Sequence, residues 1–200
     1  MGTRGFIARQ TPCGFSGRYH HNDSYPAGLG KALYRQCRGH FKGDHQAMLR
    51  VLIDDHPGSW STIVGGGSPD ILTDFNLEPG LIHDAGERGS EQRDRWNLSP
   101  QCYCHGDGRE KNWQITQDSA ASYGCEWGYI IDRKGWMAVM CSYGNGGSKM
   151  VACFGSGDPK SRWLMVHLVD LAFNEEPDWE GIVKFAISPT SKPPAEVGWG

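Results

Sequence analysis

The stretch Arg4-Gly5-Phe6-Ile7-Ala8-Arg9-Gln10-Thr11-Pro12-Cys13-Gly14-Phe15-Ser16-Gly17-Arg18-Tyr19-His20-His21 decides the fold, because it reads as two strands around one tight turn. Residues 4–10 form the first strand-like run and 16–21 the second, and Thr11-Pro12-Cys13-Gly14 supplies the Pro and Gly that suit a turn. A β-hairpin is expected. After Asp23-Ser24-Tyr25-Pro26 the apolar period lengthens: Leu29, Ala32, Leu33, Gln36 and Cys37 fall on one face of a helix over 27–38, which Gly39 ends. Asp44 is placed to cap a second helix that carries Met48, Val51 and Leu52 inward and stops before Pro57-Gly58.

Further along, residues 60–64 suit a strand, and Gly65-Gly66-Gly67-Ser68-Pro69 opens a polar, glycine-rich excursion over 65–117. Strand patterns return at 126–132, 136–142 and 150–154, with turns at Arg133-Lys134-Gly135 and Asn145-Gly146-Gly147, which predicts an antiparallel meander. Residues 163–173 are long enough for a helix, but Leu164, Val166, Leu168 and the β-branched content favour a strand. A short helical turn is expected over 180–185 and a loosely held Pro-rich tail over 189–200. The expectation is one α+β domain over 1–200: an N-terminal β-hairpin, two helices and a mostly antiparallel sheet.

Composition narrows the partners. With 38% hydrophobic, 22% charged and 11% aromatic residues in 200, the chain has the makings of an ordinary globular core. A formal net charge of -3 lacks the basic field that wide capture of nucleic acid or anionic membrane requires. No stretch reaches the roughly 20 apolar residues of a membrane span, and the opening Met1-Gly2-Thr3-Arg4-Gly5-Phe6 has no apolar signal region. Cysteines number seven, an odd count, so reduced thiols in the cytoplasm fit better than a disulfide framework.

The densest group of polar residues is Arg18-Tyr19-His20-His21-Asn22-Asp23-Ser24-Tyr25-Pro26, where a strand feeds a helix. Such junctions gather side chains and backbone N–H groups around a cleft. The expected pocket comprises Arg4, Arg18, His21, Asn22, Asp23, Ser24 and Tyr25 and takes a small polar or anionic ligand. Arg4 and Arg18 would bind the anion, His21 or Asp23 would serve as acid or base, and Asn22 would hold an oxygen. On an alternating strand Tyr19 and His21 share one face and Arg18 and His20 the other, so the two histidines do not converge on one metal. A purely structural reading of the same block has Asn22 and Asp23 capping the helix while Pro26 shapes its entry.

No cofactor is expected from this pattern. The alternative is zinc at Cys102, Cys104 and His105 with the later Cys125, although Cys-x-Cys is tighter than the Cys-x-x-Cys that wraps a structural metal. A cysteine nucleophile would use Cys104 or Cys125 with His20, His21 or His105. Gly155-Ser156-Gly157-Asp158-Pro159-Lys160-Ser161 lacks the Gly-Lys-Ser/Thr ending of a phosphate loop and reads as a turn.

Two blocks carry a resemblance. Met1-Gly2-Thr3-Arg4-Gly5 with His21-Asn22-Asp23-Ser24-Tyr25-Pro26-Ala27-Gly28-Leu29-Gly30, and Cys125-Glu126-Trp127-Gly128-Tyr129-Ile130-Ile131-Asp132, resemble an uncharacterised family of small bacterial, phage and fungal proteins. In layout, Gly17-Arg18 with Asn22-Asp23 after a short start and a hairpin is similar to N-terminal nucleophile hydrolases of the choloylglycine-hydrolase-like branch. That similarity implies a layered architecture in which Thr3 attacks, Arg18 and Asp23 position the substrate and Asn22 supports. Removal of Met1 leaves Gly2, so Thr3 would need a second cleavage. The functional expectation is a ligand-binding protein that hydrolyses an amide or phosphoester; the alternative is a non-enzymatic interaction protein, such as a phage or host-defence accessory factor.

Overall fold

The computed structural model describes residues 2–56, 58–63, 101–103, 113–117, 119–120, 122–142 and 163–187. The hairpin forms where the sequence places it. Strand β1 (Gly5–Thr11) pairs antiparallel with β2 (Gly14–His20), Gly5 opposite His20 and Thr11 opposite Gly14. Gly14 closes the turn with φ at 126°, a conformation open to glycine. Mid-hairpin, a Cβ on Gly17 would lie 1.9 Å from the Ile7 carbonyl oxygen and 2.5 Å from Ala8 Cα, so the absence of a side chain there permits the two strands' approach.

Further strands extend this hairpin in both directions. On the β2 side stand β3 (Trp60–Thr62), β4 (Gln101–Cys102) beyond it, and β5 (Gln114–Thr116), which pairs with the other half of β2. On the β1 side stand β6 (Trp127–Ile131), β7 (Trp136–Ser142) and β8 (Trp163–Asp170). The meander β6-β7-β8 is antiparallel, but β1 runs parallel to β6, with Gly5 beside Trp127 and Arg9 beside Ile131. β2 meets β3 in parallel at His20 and Trp60.

A π-helical turn at Pro26–Gly30 leads into α1 (Lys31–Gly39). Helix α2 (His45–Leu49) continues as a π-helical stretch, Arg50–Asp54, and α3 (Trp179–Ile187) follows β8. Asp44 caps α2 as its sequence position predicts, accepting the Ala47 N–H at 2.9 Å. Leu29, Ala32, Leu33, Gln36 and Cys37 are all buried, as the period predicts. The mixed sheet with its short helices makes this an α+β fold.

Pleating divides the core in two. Ile7, Tyr129, Ile131, Val139 and Val166 face one cluster, into which the helices send Leu29, Leu33, Met48, Leu52, Trp179 and Ile182. Phe6, Ala8, Tyr19, Ile130 and Met140 face the other, shared with Ile115, Ala120 and Trp163. There Phe6 stacks on Phe15 with centroids 4.9 Å apart and meets Trp163 edge-on at 5.1 Å. Among the described residues every helix packs on the first face. The second sheet that a nucleophile-hydrolase layering requires is not shown, and no described helix is long and apolar enough to cross a membrane.

Four expectations change in detail. The helix over 27–38 begins instead with the wider π-helical turn Pro26–Gly30, whose N-cap is Tyr25 without a side-chain cap bond. Neither Asn22 nor Asp23 caps it, because the Asp23 main-chain carbonyl, not its carboxylate, takes the Leu29 N–H at 2.9 Å. Residues 163–173 are strand as far as Asp170, and the turn expected over 180–185 is the longer α3. The strand expected over 150–154, most of the 65–117 excursion and the tail lie outside the described residues.

Two glycine substitutions test this packing. Gly17→Ala should destabilise the protein by about 3 kcal/mol or more, or prevent soluble expression, since backbone is what the methyl meets. Gly39→Ala, with nothing within 4 Å of the added carbon, should leave stability unchanged or raise it by up to about 1 kcal/mol in urea unfolding.

Candidate functional site

The end of β2 is held by a closed set of hydrogen bonds. His20 is fully buried, and the Ile63 N–H donates to its Nε2 at 3.0 Å. Nε2 is therefore an acceptor, which puts the ring proton on Nδ1, 2.8 Å from Ser24 Oγ. The Ser24 hydroxyl in turn donates to the His20 carbonyl at 3.3 Å. Burial, helped by His21, pushes the His20 imidazole down to about 3, so the ring is neutral. Because its Nδ1 donates, His20 does not act as base toward Ser24. The backbone of Ser24 is engaged as well: its N–H donates to the Thr3 carbonyl at 3.0 Å, and its carbonyl accepts Tyr129 Oη–H at 2.7 Å.

Arg18 lies on the same, helix-bearing face, where its Nε donates to the Ile53 carbonyl at 2.7 Å. Its neighbour Arg9 meets Asp54 at 2.6 Å, so both guanidiniums hold the C-terminal end of the α2 segment, where carbonyls lack helical partners. Arg18 and Ser24 are thus separated by the sheet from Arg4 and His21.

On the opposite face Arg4, Tyr19 and His21 come together. The ladder pairs Gly5 with His20, and one step further the same register sets Arg4 beside His21. Tyr19 Oη and His21 Nδ1 share a hydrogen bond of 2.8 Å. Burial pushes the Tyr19 phenol up to about 12 even though the Arg4 charge works against it, so the phenol is protonated and is assigned as donor to Nδ1. Around them stand Trp113, edge-on to Tyr19 with centroids 4.6 Å apart, Tyr123 and Tyr103. These three rings are half-buried, whereas Arg4 is exposed. Its guanidinium makes no hydrogen bond or ion pair among the described residues, and it passes beside Gly124, where a Cβ would sit 3.3 Å away.

Cys125 lies close to Arg4 and Tyr19 but is quiet chemically. It is buried, its Sγ–H donates to the Gly5 carbonyl at 3.4 Å, and burial holds the thiol up at about 12 against the pull of Arg4. A nucleophilic thiolate needs the opposite balance.

The remaining expected residues occupy the bend between the faces. Asn22 Nδ2 donates to the Ser61 carbonyl at 3.2 Å. Asp23 is exposed with φ at 55°, a left-handed conformation that Asp and Asn tolerate better than other side-chain-bearing residues. Tyr25 is exposed, and burial of part of its ring together with the charges of Asp23 and Glu180 raises its phenol. Thr3 lends its carbonyl to Ser24 and sits behind Gly2, which packs tightly against Asn22.

Among the described residues no group of three or more His, Cys, Asp or Glu side chains is placed to hold a metal. Cys102 pairs with Trp60 in the sheet, while Cys104 and His105 lie outside the described residues. Sequence reasoning missed the aromatic wall of Tyr103, Trp113 and Tyr123. Its three rings lie ten residues apart in the chain with no local pattern to join them, and the approach of Trp113 to Tyr19 depends on β5 pairing with β2. Searches of family models, of curated proteins and of solved structures each find no match for this chain.

Two measurements follow from the bend. With an unfolded value near 6.5 and a folded value near 3, His20 contributes stability that is complete above pH 6.5 and is lost as pH falls. From pH 6.5 to 5 urea unfolding should lose about 2 kcal/mol, and His20→Gln should flatten that slope while lowering stability at pH 7. Half-buried His167, also lowered by burial, adds in the same direction. Secondly, Asp23→Asn should leave the melting temperature unchanged, because the carboxylate caps nothing, while Asp23→Ala should cost about 1 kcal/mol through the left-handed backbone.

Proposed function

We propose that the protein binds a small anionic ligand carrying a flat ring, with Arg4 neutralising the anion, His21 adding a polar contact and the Tyr103, Trp113 and Tyr123 wall supporting the ring. The observation that carries this reading is the exposed Arg4 guanidinium, without an ion pair or hydrogen bond among the described residues, beside the hydrogen-bonded Tyr19 and His21. An arginine so placed can offer two parallel N–H donors to a carboxylate or phosphate, and aromatic faces add stacking.

A hydrolytic role is the second reading, favoured by the Tyr19–His21 hydrogen bond, which orients an imidazole for acid or base work on an amide or phosphoester. In that case water, rather than Ser24 or Cys125, is the attacking group, since both side chains are buried and committed to backbone partners. Asp23 and Asn22 then act through the shape of the bend. No metal enters either reading. The resemblance to an uncharacterised bacterial, phage and fungal family adds no activity. The tight packing of Gly5 on Ser24, of Gly28 on the Asp23 carbonyl and of Gly30 on Tyr129 supports the alternative that the block builds the fold of an interaction protein.

Isothermal titration with inorganic phosphate and with a nucleoside monophosphate separates these readings. The monophosphate should bind more tightly than phosphate, and Arg4→Gln should weaken it by about tenfold or more with the melting temperature unmoved. Absence of binding to either probe at millimolar concentration, or binding indifferent to Arg4→Gln, favours the interaction protein instead.

A further inference from the structure

At the far end of the sheet, a groove of about 440 Å³ runs along β8 beneath the segment that leads to α3. Consecutive residues of one strand, from His167 to Asp170, line it, so the edge of β8 forms its floor. Among the described residues β8 pairs only with β7. A register slip between Val139 opposite His167 and Met140 opposite Met165 leaves Val166 extra, which turns His167 onto the helix-bearing face.

The groove is negative and aromatic together. Asp170, Glu175, Glu176 and Asp178 line it, and no lysine or arginine does. Glu176 is answered from behind by Arg35 at 3.1 Å, and Asp178 accepts the Gly181 N–H of α3, but the Glu175 carboxylate has no partner among the described residues. Of the three large apolar side chains exposed among the described residues, Trp136 at 37% and Phe173 at 58% both border this groove. Phe173 is held outward by a fixed backbone: its carbonyl accepts Tyr34 Oη–H at 2.7 Å and Arg38 Nη1–H at 2.6 Å, and Arg38 also reaches Asn174. A solvent-facing ring on an anchored loop is preorganised for contact. His167, lowered by burial, is neutral at physiological pH and does not repel a cation.

We propose that this groove docks an extended basic peptide of a partner protein, which seats a lysine or arginine side chain between Trp136 and Phe173 against Glu175. Charge complementarity selects the cation, the two rings add cation–π attraction, and the β8 edge offers backbone groups to an extended chain. The groove lies three strands from β1, so it is separate from the Arg4 site.

Fluorescence anisotropy with a labelled nonapeptide of alternating lysine and threonine tests this, alongside a glutamate-for-lysine peptide and free n-butylammonium. The lysine peptide should bind and the glutamate peptide should not. Phe173→Ala and Glu175→Gln should each weaken binding by about threefold to tenfold with the melting temperature unmoved, while Arg4→Gln changes nothing. No binding of the lysine peptide up to about 1 mM, equal binding of the glutamate peptide, or insensitivity to both groove substitutions overturns the proposal. Butylammonium competing as strongly as the peptide overturns the peptide source in favour of a free amine.

Discussion

Ser24 is the point at which the parts of the structure meet. Its N–H takes the Thr3 carbonyl before β1, its carbonyl takes the Tyr129 hydroxyl from β6, and its side chain takes His20, whose other nitrogen takes Ile63 after β3. A buried polar group left without a partner costs about 1–3 kcal/mol, so each bond in this set makes the next obligatory. Gly5 completes the constraint, since a side chain there would lie 2.6 Å from Ser24 Cβ and 2.7 Å from the Trp127 carbonyl. The N-terminal segment, three strands and the first helical turn are positioned by one residue.

This explains how residues adjacent in sequence come to serve different ends. The pleat of β2 sends Tyr19 and His21 to one face and Arg18 and His20 to the other, while the bend at Asn22-Asp23 turns the chain toward the helices. What looks like one polar cluster is two groups of side chains with the sheet between them. The helix-side half is saturated by protein partners; the other half retains an exposed cation.

The local parts of the fold were legible in the chain because their causes are local. The turn at Pro12 and Cys13 and the period of Leu29, Leu33 and Cys37 each act within a few residues, as does the Asp44 cap. The strand over Trp136–Ser142 stands where its alternation placed it. By contrast, the parallel pairing of β1 with β6 joins residues over a hundred positions apart, and no period encodes that choice. The π-helical turn at Pro26–Gly30 sets Gly28 against the Asp23 carbonyl, a contact visible only in three dimensions. For the candidate site, alternation already separated His20 from His21, but the aromatic wall depended on the equally long-range approach of β5.

The parallel β1–β6 pair also sets a schedule for synthesis. The hairpin is complete once β2 has been made, yet its partner β6 comes roughly a hundred residues later, about 5–20 s at common translation rates. Until β6 is made, Phe6, Ile7 and Ala8 lack the partner strand they have in the finished sheet, and an unpaired strand edge is a template for pairing with another chain. Arg9, charged and on that edge, is the residue best placed to discourage the wrong partner until β6 arrives.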